Sequence, residues 1–129
     1  MLTEIAREWL GTEWRHHQSV KGVACDCVGF LLGVAKEANL DLPDIPRPYA
    51  RLPKNNEIQK YLDANFTRTD TLSKDKILLL EFSGIYCHVA IATDKDSIIH
   101  ADSKQKKVIE HKIDQYWYNK IINIYEVRE

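Results

Sequence analysis

The feature that most constrains the fold is the change of hydrophobic period partway along the chain. Up to residue 66 the apolar residues recur at helical spacing. From residue 76 onward they come as short runs: "KILLLEF", "CHVAIAT", "SIIHA", "KKVIEH" and "KIINIYEV". The first is continuously apolar, as a central strand requires, and the second alternates as a half-buried strand does. Helices first and strands after predict an α+β fold with a mostly antiparallel sheet. With 129 residues, the chain is read as a single domain, 1–129, large enough for its own core.

The helical half divides into three. "LTEIAREWL" predicts a first helix capped by Thr3, with Ile5 and Trp9 on one face. "GTEWRHHQSVKGVA" has no period and reads as a loop. Asp26 then stands at an N-cap position, and Val28, Leu31, Leu32, Ala35 and Ala38 follow at helical spacing to Asn39. All four prolines fall in "LDLPDIPRPYARLPKNN", a long surface excursion. "NEIQKYLDANF" predicts a further helix with Ile58 and Leu62 inward, and "DQYWYN" an aromatic bridge between the last strands.

Basic and acidic residues nearly balance, 18 against 19, which argues against nucleic acid as the main partner. No segment approaches a membrane span, and the start of the chain does not resemble a signal peptide. Synthesis in the cytoplasm is therefore the expectation. Three cysteines are too few and odd in number for a disulfide framework, so reduced thiols are expected.

Chemistry concentrates at "ACDCVGF". An Asp26 N-cap places Cys27 in the first helical turn, where free amides and the helix dipole favour a thiolate. Cys25 and Cys87 read as structural. A thiol nucleophile needs a base, and the pool is His16, His17, His88, His100 and His111. If Asp94, Lys95 and Asp96 form a three-residue hairpin loop, His88 faces Asp102 and His100 faces Ala90. All four then project from one face, the two histidines about 7–8 Å apart along a diagonal. A two-residue loop would put them on opposite faces. Ala90 and Ala92 share the face with His88, so the Cys27 helix is expected to pack there.

"CDCVGF", "HVAIAT" and "IIHA", in that order, resemble the NlpC-type cell-wall cysteine peptidases, papain-like enzymes that cut peptidoglycan stem peptides. "WLGTEWRHHQSVKGVACDCVGFLLGVAKE" and "DSIIHADSKQKKVIEHKIDQYWYNKI" extend the likeness, which is to the phage-associated branch, over nearly the whole chain. The resemblance implies a papain-like domain with N-terminal helices packed on a central sheet. It implies Cys27 as nucleophile, His88 as base and then acid, and His100 as the residue orienting His88. It further implies a role for Asp26 in receiving the substrate's amine, and cleavage between the γ-carboxyl of D-glutamate and the following diamino acid. No cofactor or metal is required. Family members carry a tyrosine near the start; the aligned Trp14 offers an indole donor that cannot accept a proton. Trp14 and His16 are taken as substrate-groove residues. The usual glycine of "H-V-G-I" is Ala90, and Asp75–Lys76 replaces a glycine–aspartate pair.

The partners implied are a stem peptide and the components of a phage tail-like particle, which would carry the protein to the cell wall. Other readings stay open. One is a non-catalytic tail-assembly protein on the same fold, and another is a related amidase or acyltransferase. A third is a zinc site from His16, His17, Cys25 and Cys27, whose spacing is not that of a finger or ribbon. Tyr116, Trp117 and Tyr118 read as cover for a sheet edge, with sugar stacking as the alternative.

Overall fold

The computed structural model describes residues 1–43, 55–82 and 86–128. Four helices are seen among them: α1 (Leu2–Arg7), α2 (Cys27–Glu37), α3 (Asn55–Asn65) and α4 (Gln115–Tyr118). Nine strands form one sheet: β1 (Glu13–Trp14), β2 (Ser19–Val20), β3 (Ala24–Cys25), β4 (Thr67–Thr69), β5 (Ile77–Phe82), β6 (Tyr86–Asp94), β7 (Ser97–Asp102), β8 (Lys107–Lys112) and β9 (Ile121–Glu126). Their order is β2-β3-β1-β8-β7-β6-β5-β9-β4. Every pairing is antiparallel except β1 with β3, as the α+β reading predicts.

The sheet is covered on both faces. Toward α1, α2 and α3 it presents Ile77, Leu79, Cys87, Val89, Ile91, Ile99, Ala101, Val108 and Tyr125. Toward α4 it presents Leu78, Leu80, Ala90 and Ile98, with Trp117 packed against them. The unbroken "ILLL" of β5 follows from this, since a strand buried on both faces has no polar face to alternate with. Ile58 and Leu62 of α3 point inward as expected.

Three local expectations need correction. Thr3 does not cap α1; it lies inside the helix, buried, with its hydroxyl on the Ala92 carbonyl at 3.3 Å. The cap comes instead from far along the chain, because Asp75 accepts the Thr3 amide at 2.8 Å and also binds the N-terminal ammonium. The stretch read as a loop at 11–24 holds β1, β2 and β3, each of two residues and too short for a sequence period to reveal. The aromatic bridge contains α4, capped by Asp114 accepting the Trp117 amide at 3.1 Å. Residues 44–54 of the proline-rich excursion lie outside the described residues.

Asp26 caps α2 as expected, its Oδ1 accepting the Gly29 amide at 2.7 Å. The helix stops at Glu37, and Asn39 follows with φ 62°. Gly29 has no alternative, because a Cβ there would lie 1.9 Å from the Gln18 carbonyl oxygen. That oxygen also accepts the Asp26 amide at 3.2 Å, so the loop cannot retreat without uncapping the helix. Gly29→Ala is expected to destabilise the fold by about 1–3 kcal/mol, read as a lower denaturation midpoint.

Candidate active site

The β6–β7 hairpin settles how the histidines face. Its turn holds two residues, Lys95 and Asp96, not the expected three. The ladder slips by one between Ala92 and Asp94, however, and this bulge restores the predicted register at Ile91↔Ile99 and Ala92↔Ile98. His88 and His100 therefore share a face, and His88 Nε2 lies 2.8 Å from His100 Nδ1. The expected pairings of His88 with Asp102 and His100 with Ala90 do not form. The ladder ends at Ile91↔Ile99, beyond which β6 stays on β5 and β7 stays on β8.

The two strands thus fork where the site lies. On β6 the Ala92 amide donates to Lys76 on the β5 side. By alternation the Val89 amide points the other way, into the fork, where β7 offers it no ladder partner. The Cys27 sulfur lies near this amide, and the N–H groups of Val89, Val28 and Cys27 all favour its anionic form. This corrects the packing expected for α2. The helix lies against Cys87, Val89 and Ile91, on the face opposite His88 and Ala90, and its thiol meets the β6 backbone at the fork. No hydrogen bond joins the Cys27 thiol to the His88 ring among the described residues.

The expected depression of the Cys27 pKa is also overturned. The thiol is 6% exposed, and burial pushes it up to about 12, with the Asp26 carboxylate adding to the rise. The helix-terminal amides oppose this and lose to desolvation. Although part of His88 reaches a cleft, burial pushes its imidazole down to about 4 against the pull of Asp102 and Asp26. His100 is fully buried and well below its ordinary value for the same reason. The resting groups are a neutral thiol and neutral imidazoles.

The histidine network is longer than the sequence reading allowed. His111 on β8 sits diagonally across from His100, its Nε2 2.9 Å from His100 Nε2, and its Nδ1 lies 2.8 Å from the Lys112 carbonyl oxygen. The Trp117 ring packs over both, at centroid distances of 5.1 Å to His100 and 4.9 Å to His111. A small cleft of about 80 Å³ opens on His88 and His100, walled by Phe82, Asp102, Ser103, Lys104, Tyr116 and Trp117. Cys27 is not among its walls. His111 stood in the candidate pool, and its part in the network could have been found by counting register across the β7–β8 hairpin. Trp117, expected as cover for a sheet edge or as a sugar-stacking ring, lies against the histidine network.

Asp26 is 3% exposed, and its Oδ2 accepts the His17 amide at 2.8 Å, so its carboxylate ties the 15–18 loop to the helix mouth. His16 Nδ1 lies 3.7 Å from the same oxygen, and the His16 ring stacks on His17 at 3.7 Å. Trp14 is half-buried, opposite Cys25 in the β1–β3 pair. Cys25 and Cys87 are buried in the core and free of disulfides, as expected of structural thiols. Among the described residues no cluster of three or more histidine, cysteine or carboxylate side chains is arranged to hold a metal.

The buried groups set a pH window for stability. His88 and His100 titrate below the ordinary 6.5, so the unfolded chain binds more protons there, and stability falls as pH drops from 6.5 through about 4. Cys25, Cys27 and Cys87 are each raised from 9 to about 12, so stability falls again as pH rises through that interval. Denaturation midpoints measured against pH are expected to peak between these limits, and His88→Phe should flatten the acid limb.

By sequence, no family model and no curated protein matches the chain. By structure it is similar to the NlpC/p60 domain of the peptidoglycan hydrolase SagA, with TM-score 0.67 and 18% identity over 98% of this chain and 96% of that one. It is also similar to an NlpC/P60 family protein from Bacillus cereus ATCC 10987, with TM-score 0.74 and 17% identity. A lipoprotein-like NLP/P60 protein from Staphylococcus aureus subsp. aureus Mu50 gives TM-score 0.72 and 15% identity. The chain spans 39% of the B. cereus protein and 40% of the S. aureus protein, 98% and 99% of itself being covered. The helix bearing Cys27, the forked sheet and the histidine pair are thus set in the NlpC/P60 fold.

Proposed function

We propose that this chain is a cysteine peptidase acting on peptidoglycan stem peptides, with Cys27 as nucleophile, His88 as general base and acid, and His100 orienting His88. The observation that carries the reading is the fork. It brings a helix-terminal thiol to the backbone of the strand bearing His88, whose ring is bonded in turn to a second histidine. These residue types, in this order on the fold, support the reading of nucleophile, base and orienter.

Because thiol and imidazole rest neutral, attack proceeds with proton transfer and does not start from a preformed ion pair. The Cys27 S–H proton passes to His88 as sulfur bonds to the scissile carbonyl carbon. The Cys27 backbone N–H, at the start of α2, is a donor for the resulting oxyanion. His88 returns the proton to the amine as the C–N bond breaks, leaving a thioester. Water adds to the thioester while His88 takes its proton, and His88 returns that proton to sulfur as the C–S bond breaks, releasing the acid and the free thiol. Cleavage at the D-γ-glutamyl–diamino acid bond, contact of Asp26, Trp14 and His16 with the substrate, and delivery to the cell wall by a phage-like particle belong to the same proposal.

One observation favours a second reading, a non-catalytic structural protein on this fold: the thiol is 6% exposed and raised. Digestion of purified muropeptides, read by mass spectrometry, separates the two. New fragments are expected from wild type and none from Cys27→Ala, with His88→Ala slower by roughly 10²–10⁴-fold. An absence of fragments from every peptidoglycan chemotype would leave the structural-protein reading, and equal fragments from Cys27→Ala would remove Cys27 as nucleophile.

A further inference from the structure

We propose that His111 is a positioning residue that sets the proton arrangement of the whole histidine chain, so that His88 presents a bare Nδ1. The inference rests on the peptidase reading for its catalytic meaning, while the proton arrangement follows from the hydrogen-bond geometry of a His111 ring that carries a single proton.

The Lys112 carbonyl oxygen can only accept, so His111 Nδ1, 2.8 Å away, must carry a proton. With a single proton on the ring, His111 then offers Nε2 as a lone-pair acceptor. His100 Nε2, 2.9 Å from it, must then donate, so neutral His100 is protonated at Nε2 and bare at Nδ1. His88 Nε2, 2.8 Å from that bare nitrogen, must donate in turn. The proton of neutral His88 is therefore held at Nε2, and its Nδ1 is free to receive another. A single backbone carbonyl thus dictates three tautomers across three strands.

The arrangement also accounts for the depth of the network. His100 is fully buried between two imidazoles and could exist as either tautomer if His88 were its sole partner. In molecules with His100 protonated at Nδ1, His88 Nε2 would have to accept, which puts its proton on Nδ1 and blocks the base. His111 removes that ambiguity, and the Trp117 ring, tilted against both His100 and His111, limits their rotation.

Long-range ¹H–¹⁵N spectra of the full chain, labelled at histidine and recorded near pH 7.5, test the proposal directly. The expected pattern is protonated Nδ1 at His111 and protonated Nε2 at His100 and His88, with an unprotonated Nδ1 signal from His88. A His88 or His100 protonated at Nδ1 would overturn it. In His111→Phe, which keeps a ring but offers no acceptor, the His88 signals should become a mixture of tautomers. Its muropeptide kcat should fall by roughly ten- to a hundredfold with KM little changed. His111→Gln, whose carboxamide oxygen can accept from His100 and whose NH₂ can donate to Lys112, should restore both the single pattern and most of the rate. A His111→Phe variant that keeps the wild-type tautomers would sink the assignment. If His111→Phe does not fold, the wild-type spectrum still decides. The expected spectrum from a protein that cuts no muropeptide would support His111's control of the tautomers while retiring the peptidase reading.

Discussion

The site depends on one buried carboxylate. Asp26 accepts the Gly29 amide with one oxygen and the His17 amide with the other, while its own amide donates to Gln18. These three bonds start α2, anchor the 15–18 loop to it, and set where residue 27 emerges. A carboxylate this deep is costly unless several donors meet it, and two backbone N–H groups plus the nearby helix terminus supply them. Gly29 completes the junction by leaving room for the Gln18 carbonyl. With the junction set, the Cys27 sulfur lies near the Val89 amide of β6.

Two effects then compete at the sulfur. Helix-terminal amides and the Val89 N–H stabilise a thiolate, while loss of water and the adjacent Asp26 charge oppose it. Burial wins, and the thiol rests neutral. The same burial holds His88 and His100 neutral. A base that is neutral at working pH needs its lone pair on the correct nitrogen, which is why the tautomer of His88 matters as much as its position. The chain from the Lys112 carbonyl through His111 and His100 supplies that constraint by hydrogen-bond logic.

Much of this was legible in the residues. The Asp26 cap, α2, α3, the five main strands and the shared face of His88 and His100 all follow from period and turn chemistry. The shared face emerged by a different route from the one expected, since a two-residue turn plus a bulge gives the same register as a three-residue loop. The two-residue strands β1 to β3 and the remote cap of Asp75 on α1 were not legible. Both rest on partners brought from elsewhere in the chain, and neither leaves a local period. The covering of both sheet faces was visible only as the unbroken "ILLL" of β5.

Local sequence by itself determined the helix mouth at Asp26–Cys27, the strand-borne histidines and the α+β order, because spacing and capping act over a few residues. Only the tertiary structure decided that α2 packs opposite His88, that the strands part at Ile91↔Ile99, and that the thiol is deep enough to stay protonated. It alone joined His111 to the pair. Desolvation and hydrogen-bond direction are properties of what surrounds a group, and those surroundings come from strands far apart in the chain.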